Sequence, residues 1–215
     1  MTTFADRVIA WGRTHGRRFP WREPGLSTFE LLLTEVLLAR TRADAVVPVI
    51  DALLTRFPDA TALATADLAI LEAILTPLGL FRKRARALIP LAQKLVSHHG
   101  SHVPQALEPL LELPYVGRYA ANAYLCFGLG QRRPVVDANV ARLLDRYWGL
   151  TPWKGKLEHA EAHWQFAESL LPWQDVQRYN WGLLDLGALV CKPRTPDCRA
   201  CPLREGCKHA SAPPE

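Results

Sequence analysis

No stretch of this sequence is apolar for long enough to cross a bilayer. Runs such as 29–33 and 135–136 fall far short of the roughly 20 residues a span requires, which excludes a membrane helix. Residues 1–7 contain no apolar segment and no small-residue cleavage site, so no secretory signal is expected and the expected compartment is the reducing cytoplasm. There is no low-complexity linker and no repeat of fixed period, so any domain division must be non-sequential or tightly packed. Period-2 strand pairs are also missing. The 17 prolines and 13 glycines are scattered rather than clustered. With 215 residues, 49% of them hydrophobic, and a mean hydropathy of −0.04, the chain has apolar material for one large or two small packed domains; disorder is excluded as its main state.

What is present is helical. Phe29, Leu32, Leu33, Val36 and Leu37 recur at three- and four-residue spacing behind Ser27 or Thr28 as N-cap, with Glu30 following. This predicts a buried helix over 28–40. Similar patterns predict helices near 43–56, 67–75, 83–98, 107–112, 119–127, 139–148, 157–170 and 176–190, an all-α chain of about ten short helices. The net charge of +5 comes from a basic set in which Arg greatly outnumbers Lys. Arg suits bidentate phosphate contacts and base stacking, so an anionic partner competes with simple solubility as the reason for the charge.

Four of the five cysteines crowd the C-terminal region as C-x6-C-x2-C-x5-C: Cys191, Cys198, Cys201 and Cys207. Four soft thiolates match tetrahedral zinc or a [4Fe–4S] cluster, and a single C-x2-C flanked by lone cysteines favours the cluster. The segment 191–207 is poor in large apolar residues and is expected to be held by something other than a core. Cys126, between Leu125 and Phe127, reads as an inert core thiol.

The stretch 113–121, LPYVGRYAA, reads as a helix end, a tight turn and a new helix opening near Arg118. A helix start behind a glycine presents backbone N–H groups to a phosphate, and Arg118 adds charge. Further on, Val135–Val136 deliver Asp137 to another helix start, where Asp137 or Asn139 also fits the role of a plain N-cap.

LPYVGRYAANAYLCFG, VVDANVARLLDRYWG and YNWGLLDLGALVC with its cysteine loop resemble the helix-hairpin-helix (HhH-GPD) DNA glycosylases of the endonuclease III superfamily. GRRFPWRE and LTEVLLARTRADAV are similar to the MutY and mismatch-specific thymine glycosylase branch, so the resemblance covers nearly the whole chain. It implies a two-domain fold: a six-helix barrel with the hairpin over 22–131, and an iron-sulfur-cluster domain built from 1–21 and 132–215. It implies a monomeric enzyme acting on double-stranded DNA with a mispaired or damaged base, nucleoid-associated if bacterial or archaeal. Asp137 matches the family's catalytic carboxylate, and Tyr115, Val116, Gly117 and Arg118 fall on the hairpin that binds the DNA backbone, with Asn139 beside Asp137. Glu35 matches the glutamate of the MutY and thymine branches. It would protonate the leaving base or position water while Asp137 stabilises the sugar cation.

Where endonuclease III carries a lysine that forms a Schiff base, this chain has Tyr119, which cannot form that imine. The resemblance therefore implies a monofunctional glycosylase with water as nucleophile. Leu80–Phe81 resemble the wedge that fills the gap left by an extruded base, and the basic triplet Arg82, Lys83 and Arg84 is expected to hold phosphates. Arg40 and Arg42 replace the segment that reads the orphan base, the alternative being solvated surface arginines. One departure stands out: Tyr115 replaces the hairpin's usual first glycine, which brings strain if a positive φ is needed there.

Three functions compete. The first is release of thymine or uracil opposite guanine, the second MutY-like adenine release, and the third a weakly active DNA-binding or redox-cluster paralogue. An endonuclease III-like oxidised-pyrimidine activity with weak lyase action is a further variant. Adenine glycosylases usually carry an added C-terminal domain, and the stop at Glu215 favours the first reading.

Overall fold

A computed structural model describes residues 2–39 and 41–211. Among them there is no β-strand, and the α-helices run in the order α1 (Phe4–His15), α2 (Thr28–Leu38), α3 (Ala43–Arg56), α4 (Ala60–Ala64), α5 (Leu68–Leu75), α6 (Phe81–His99), α7 (Leu107–Leu111), α8 (Arg118–Ala123), α9 (Ala138–Trp148), α10 (Glu161–Ser169), α11 (Val176–Leu189) and α12 (Lys208–Ser211). No helix among the described residues is long and apolar enough to cross a membrane. The chain divides into two compact units, Phe19–Leu129 and Met1–Arg18 with Gly130–Glu215.

The Phe19–Leu129 unit holds α2 to α8 around a continuous apolar core. Leu32, Leu33, Val36 and Leu37 of α2 meet Val46 and Leu53 of α3, Leu71 and Leu75 of α5, and Leu88, Leu91 and Leu95 of α6. Each such side chain contributes roughly 1.5–3 kcal/mol of transfer free energy on burial. The expected helix over 119–127 ends earlier. α8 stops at Ala123 and continues as a π-helical turn, Tyr124–Gly128, that carries the fully buried Cys126.

The other unit joins α1 to α9–α12, with α1 and α9 both packed on α11. Glycine decides how closely. A Cβ on Gly182 would lie 2.8 Å from Val8 Cγ1, and one on Gly187 would lie 2.8 Å from Asn139 Cβ. Phe4, Tyr147, Trp148 and Phe166 form an aromatic cluster with neighbouring centroids 4.4–5.1 Å apart. Asp185 is 1% exposed and accepts from the Arg17 backbone N–H at 2.8 Å and from Arg17 Nε at 2.7 Å, so its buried charge is paired. The expected helix over 157–170 is a 3-10 turn, Leu157–His159, followed by α10.

Candidate functional site

In the Phe19–Leu129 unit, α2 starts with a capping box. The Ser27 hydroxyl accepts from the Glu30 backbone N–H, and the Glu30 carboxylate accepts from that of Ser27. This start puts Glu35 among Leu32, Leu33, Val36 and Leu37, where it is 3% exposed. Burial pushes its pKa up to about 8, a rise moderated by the nearby Arg22 charge and then by a hydrogen bond from the Tyr119 hydroxyl. Glu35 Oε2 has no hydrogen-bond partner among the described residues. Burial therefore favours the protonated carboxyl at neutral pH.

The hairpin carries the strain raised for Tyr115 and one departure from expectation, at Val116. Tyr115 adopts φ +68°, the left-handed region a glycine tolerates freely and a bulky residue enters at a cost of about 1–3 kcal/mol. Gly117, by contrast, caps α8 in extended backbone. Val116 does not fit the expected phosphate contact: its side chain is buried and its N–H closes the turn on the Leu113 carbonyl at 3.2 Å. This is the i→i+3 bond that closes a four-residue turn. Arg118 and Tyr119 open α8 and are partly exposed.

Before α6 the chain turns through Gly79 at φ +67° and Leu80 at φ +50°, and Leu80 is 72% exposed. Phe81 is partly buried, with the Arg82 guanidinium 5.5 Å over its ring, and Lys83 is exposed. Arg84 departs from the expected phosphate-holding triplet. It is buried, with Nε donating to the Gly79 carbonyl at 3.1 Å and Nη2 to the Thr41 hydroxyl at 2.7 Å. The α6 period turns position 84 inward while 82 and 83 face solvent. Arg42 extends into solvent, 3.8 Å from Asp44, and Arg40 lies outside the described residues.

In the other unit, Asp137 caps α9. Its Oδ1 accepts from the N–H groups of Asn139 and Val140, and its Oδ2 from Asn139 Nδ2, all at 2.8 Å. Asn180 on α11, a positioning residue that sequence reasoning passed over inside YNWG, pins the approach to Asp137. It accepts from the Val135 N–H at 3.0 Å and donates to the Arg133 carbonyl at 3.1 Å. Arg142, also passed over, donates to Asn139 Oδ1, the Gly187 carbonyl and the Cys191 carbonyl.

Cys191, Cys198, Cys201 and Cys207 all line one cavity of about 30 Å³. Burial and the neighbouring cysteines' charges raise the thiols of Cys198 and Cys201, the latter to about 11. Four sulfur donors around one shared space are a donor set suited to a multi-iron centre, although no three metal-ligating side chains among the described residues close on a single ion. Within the loop Leu203 is buried, and Arg7 of α1 donates to the Glu205 carbonyl at 3.0 Å.

The chain is 31% identical over 206 residues to a thymine/uracil-DNA glycosylase of Methanothermobacter thermautotrophicus, covering 96% of this chain and 92% of that one. It is 35% identical to an adenine DNA glycosylase of Mycobacterium tuberculosis, covering 96% and 68%. Among solved structures it matches a thermostable thymine-DNA glycosylase with TM-score 0.89 at 30% identity, covering 96% and 94%. It shares the fold of endonuclease III in a non-covalent DNA complex, with TM-score 0.81 at 24% identity and coverage of 96% and 92%. The family model of the HhH-GPD superfamily base excision DNA repair proteins matches residues 33–169, and this all-α, endonuclease III-like chain belongs to that family.

Proposed function

We propose that this chain is a monofunctional DNA glycosylase that releases thymine or uracil opposite guanine from double-stranded DNA. The observation that carries the reading is the Glu35–Tyr119 pair: a buried carboxyl with a pKa of about 8, hydrogen-bonded by a tyrosine where the strand-cleaving branch has its lysine. Glu35 is protonated at neutral pH and supplies the proton that the departing base needs. Asp137, whose side chain accepts three N–H bonds, stabilises positive charge on the sugar as the glycosidic bond breaks. Water completes the displacement, because no amine stands at position 119 to form a covalent intermediate. Leu80, exposed on its left-handed turn, is the wedge, with Phe81 at its base. Lys83 and the hairpin at Tyr115, Gly117 and Arg118 meet the DNA backbone, and Arg42 faces the orphan base.

We also assign the four cysteines to a [4Fe–4S] cluster, held by Cys191, Cys198, Cys201 and Cys207. These cysteines would ligate the cluster as thiolates, and that ligation would cross-link a loop that has few apolar contacts of its own. Such an enzyme works as a monomer on the nucleoid of a cytoplasm.

Thymine and uracil are favoured because the relatives matched nearly end to end carry those names. The adenine relative defines the other arm of the test. Duplexes holding G·T, G·U, A·G, A paired with oxidised guanine, or thymine glycol are scored for base release before and after alkali. Release from G·T and G·U, with strand breaks only after alkali and little DNA trapped by borohydride, is the expected result. Preferred release of adenine would transfer the chain to the second reading, and efficient trapping would overturn the water nucleophile.

A further inference from the structure

Arg84 is a buried cation whose described partners are all uncharged. It is 3% exposed, its Nε and Nη2 bind the Gly79 carbonyl and the Thr41 hydroxyl, and its Nη1 has no partner among the described residues. A guanidinium taken out of water without a carboxylate is costly, so its two directional bonds must settle something the fold needs. They join two separate turns. Gly79 and Leu80 form the left-handed turn that exposes the wedge, and the Arg84 N–H donates to the Leu80 carbonyl at 3.0 Å. Thr41 lies in the turn after α2, and its N–H donates to the Leu38 carbonyl at 3.0 Å, at the end of the helix that carries Glu35. One planar fork thus ties the wedge to the acid's own helix.

We propose that Arg84 is a positioning residue that fixes the Leu80 turn to the turn after α2, so that insertion of the wedge and presentation of the extruded base to Glu35 occur in one register. The inference rests on the glycosylase reading above. Lysine preserves the charge but not the fork, so Arg84→Lys does not restore the function.

The test uses duplexes with 2-aminopurine beside the target base, whose fluorescence reports extrusion whether or not a base is released. Arg84→Lys and Thr41→Val are each expected to diminish the extrusion signal and to slow single-turnover release roughly 10- to 100-fold, the scale of a small misplacement transmitted to a reacting centre. Affinity for undamaged duplex stays near wild type, while the melting midpoint falls because each substitution leaves a buried polar group without its partner, so release is compared per folded molecule. The double variant loses no more than the worse single, because both substitutions break one connection. Wild-type extrusion and release in both variants would overturn the proposal, as would losses in the double variant that multiply. Should Arg84→Lys fail to fold, Thr41→Val decides alone, since it keeps the side-chain shape and removes the hydroxyl that accepts from Arg84 at 2.7 Å and donates only a long 3.4 Å bond to the Ala39 carbonyl. A wild-type protein silent on every duplex would instead refute the glycosylase reading, while the fluorescence signal would still judge the link.

Discussion

Glu35 holds a proton at neutral pH that the same carboxyl gives up in the unfolded chain, with consequences for both stability and rate. Its pKa lies near 4.5 when solvated and near 8 in the fold. Between those values the native state binds the extra proton, so stability is full below about 4.5, falls as pH rises towards 8, and is level above. Glu35→Gln is therefore expected to melt higher than wild type at pH 9, with the gap closing towards pH 5. As proton donor, Glu35 also gives base release an alkaline limb near pH 8. The Tyr119 hydroxyl holds the carboxyl's pKa down, so Tyr119→Phe should move that limb to higher pH; a limb that stays put would separate Tyr119 from the acid. That Glu35 is an acid in an apolar run was legible from its neighbours. The Arg22 charge was not, because the positions lie on different elements.

Helices set where these groups stand, and α11 has two glycines whose loss should have different effects. An Ala Cβ at 187 would meet Asn139 Cβ at 2.8 Å and its carbonyl oxygen at 2.9 Å, at the start of α9 where Asp137 is held. Gly187→Ala should cost about 1–3 kcal/mol in overpacking and also slow base release per folded molecule. Gly182→Ala meets Val8 of α1 instead, and should lower the melting midpoint while leaving the rate per folded molecule intact. Equal effects on rate would show that Asp137 does not depend on this contact. Most helices were readable because their apolar residues repeat at helical spacing; α3 falls on 43–56 as expected. α1 went unread although Phe4, Val8 and Trp11 stand at helical spacing behind the Thr3 cap.

For the molecule as a whole, each unit has its own means of cohesion. The Phe19–Leu129 unit rests on its apolar core, whereas the segment 191–207 of the other unit leans on four thiols, Leu203 and a few bonds such as Arg146 to the carbonyls of Lys192 and Pro193 at 2.7 Å. Purified protein should contain iron with acid-labile sulfide. Stripping the iron should expose 191–207 to protease before any cut falls within 19–129. Stoichiometric zinc without iron would overturn the cluster assignment.

The sequence alone determined the all-helical class, the cysteine set and the candidate carboxylates, since periodicity and ligand spacing are local properties of the chain. It also flagged Tyr115, whose φ of +68° matches the conformation the missing glycine would have taken. The tertiary structure decided which donors and charges were already engaged. The Val116 amide closes a turn, Arg84 is buried and bonded to Gly79 and Thr41, and Glu35 is pushed towards neutrality by packing that no single segment encodes. Burial and hydrogen-bond satisfaction depend on residues far apart in sequence, and only the folded chain brings them together.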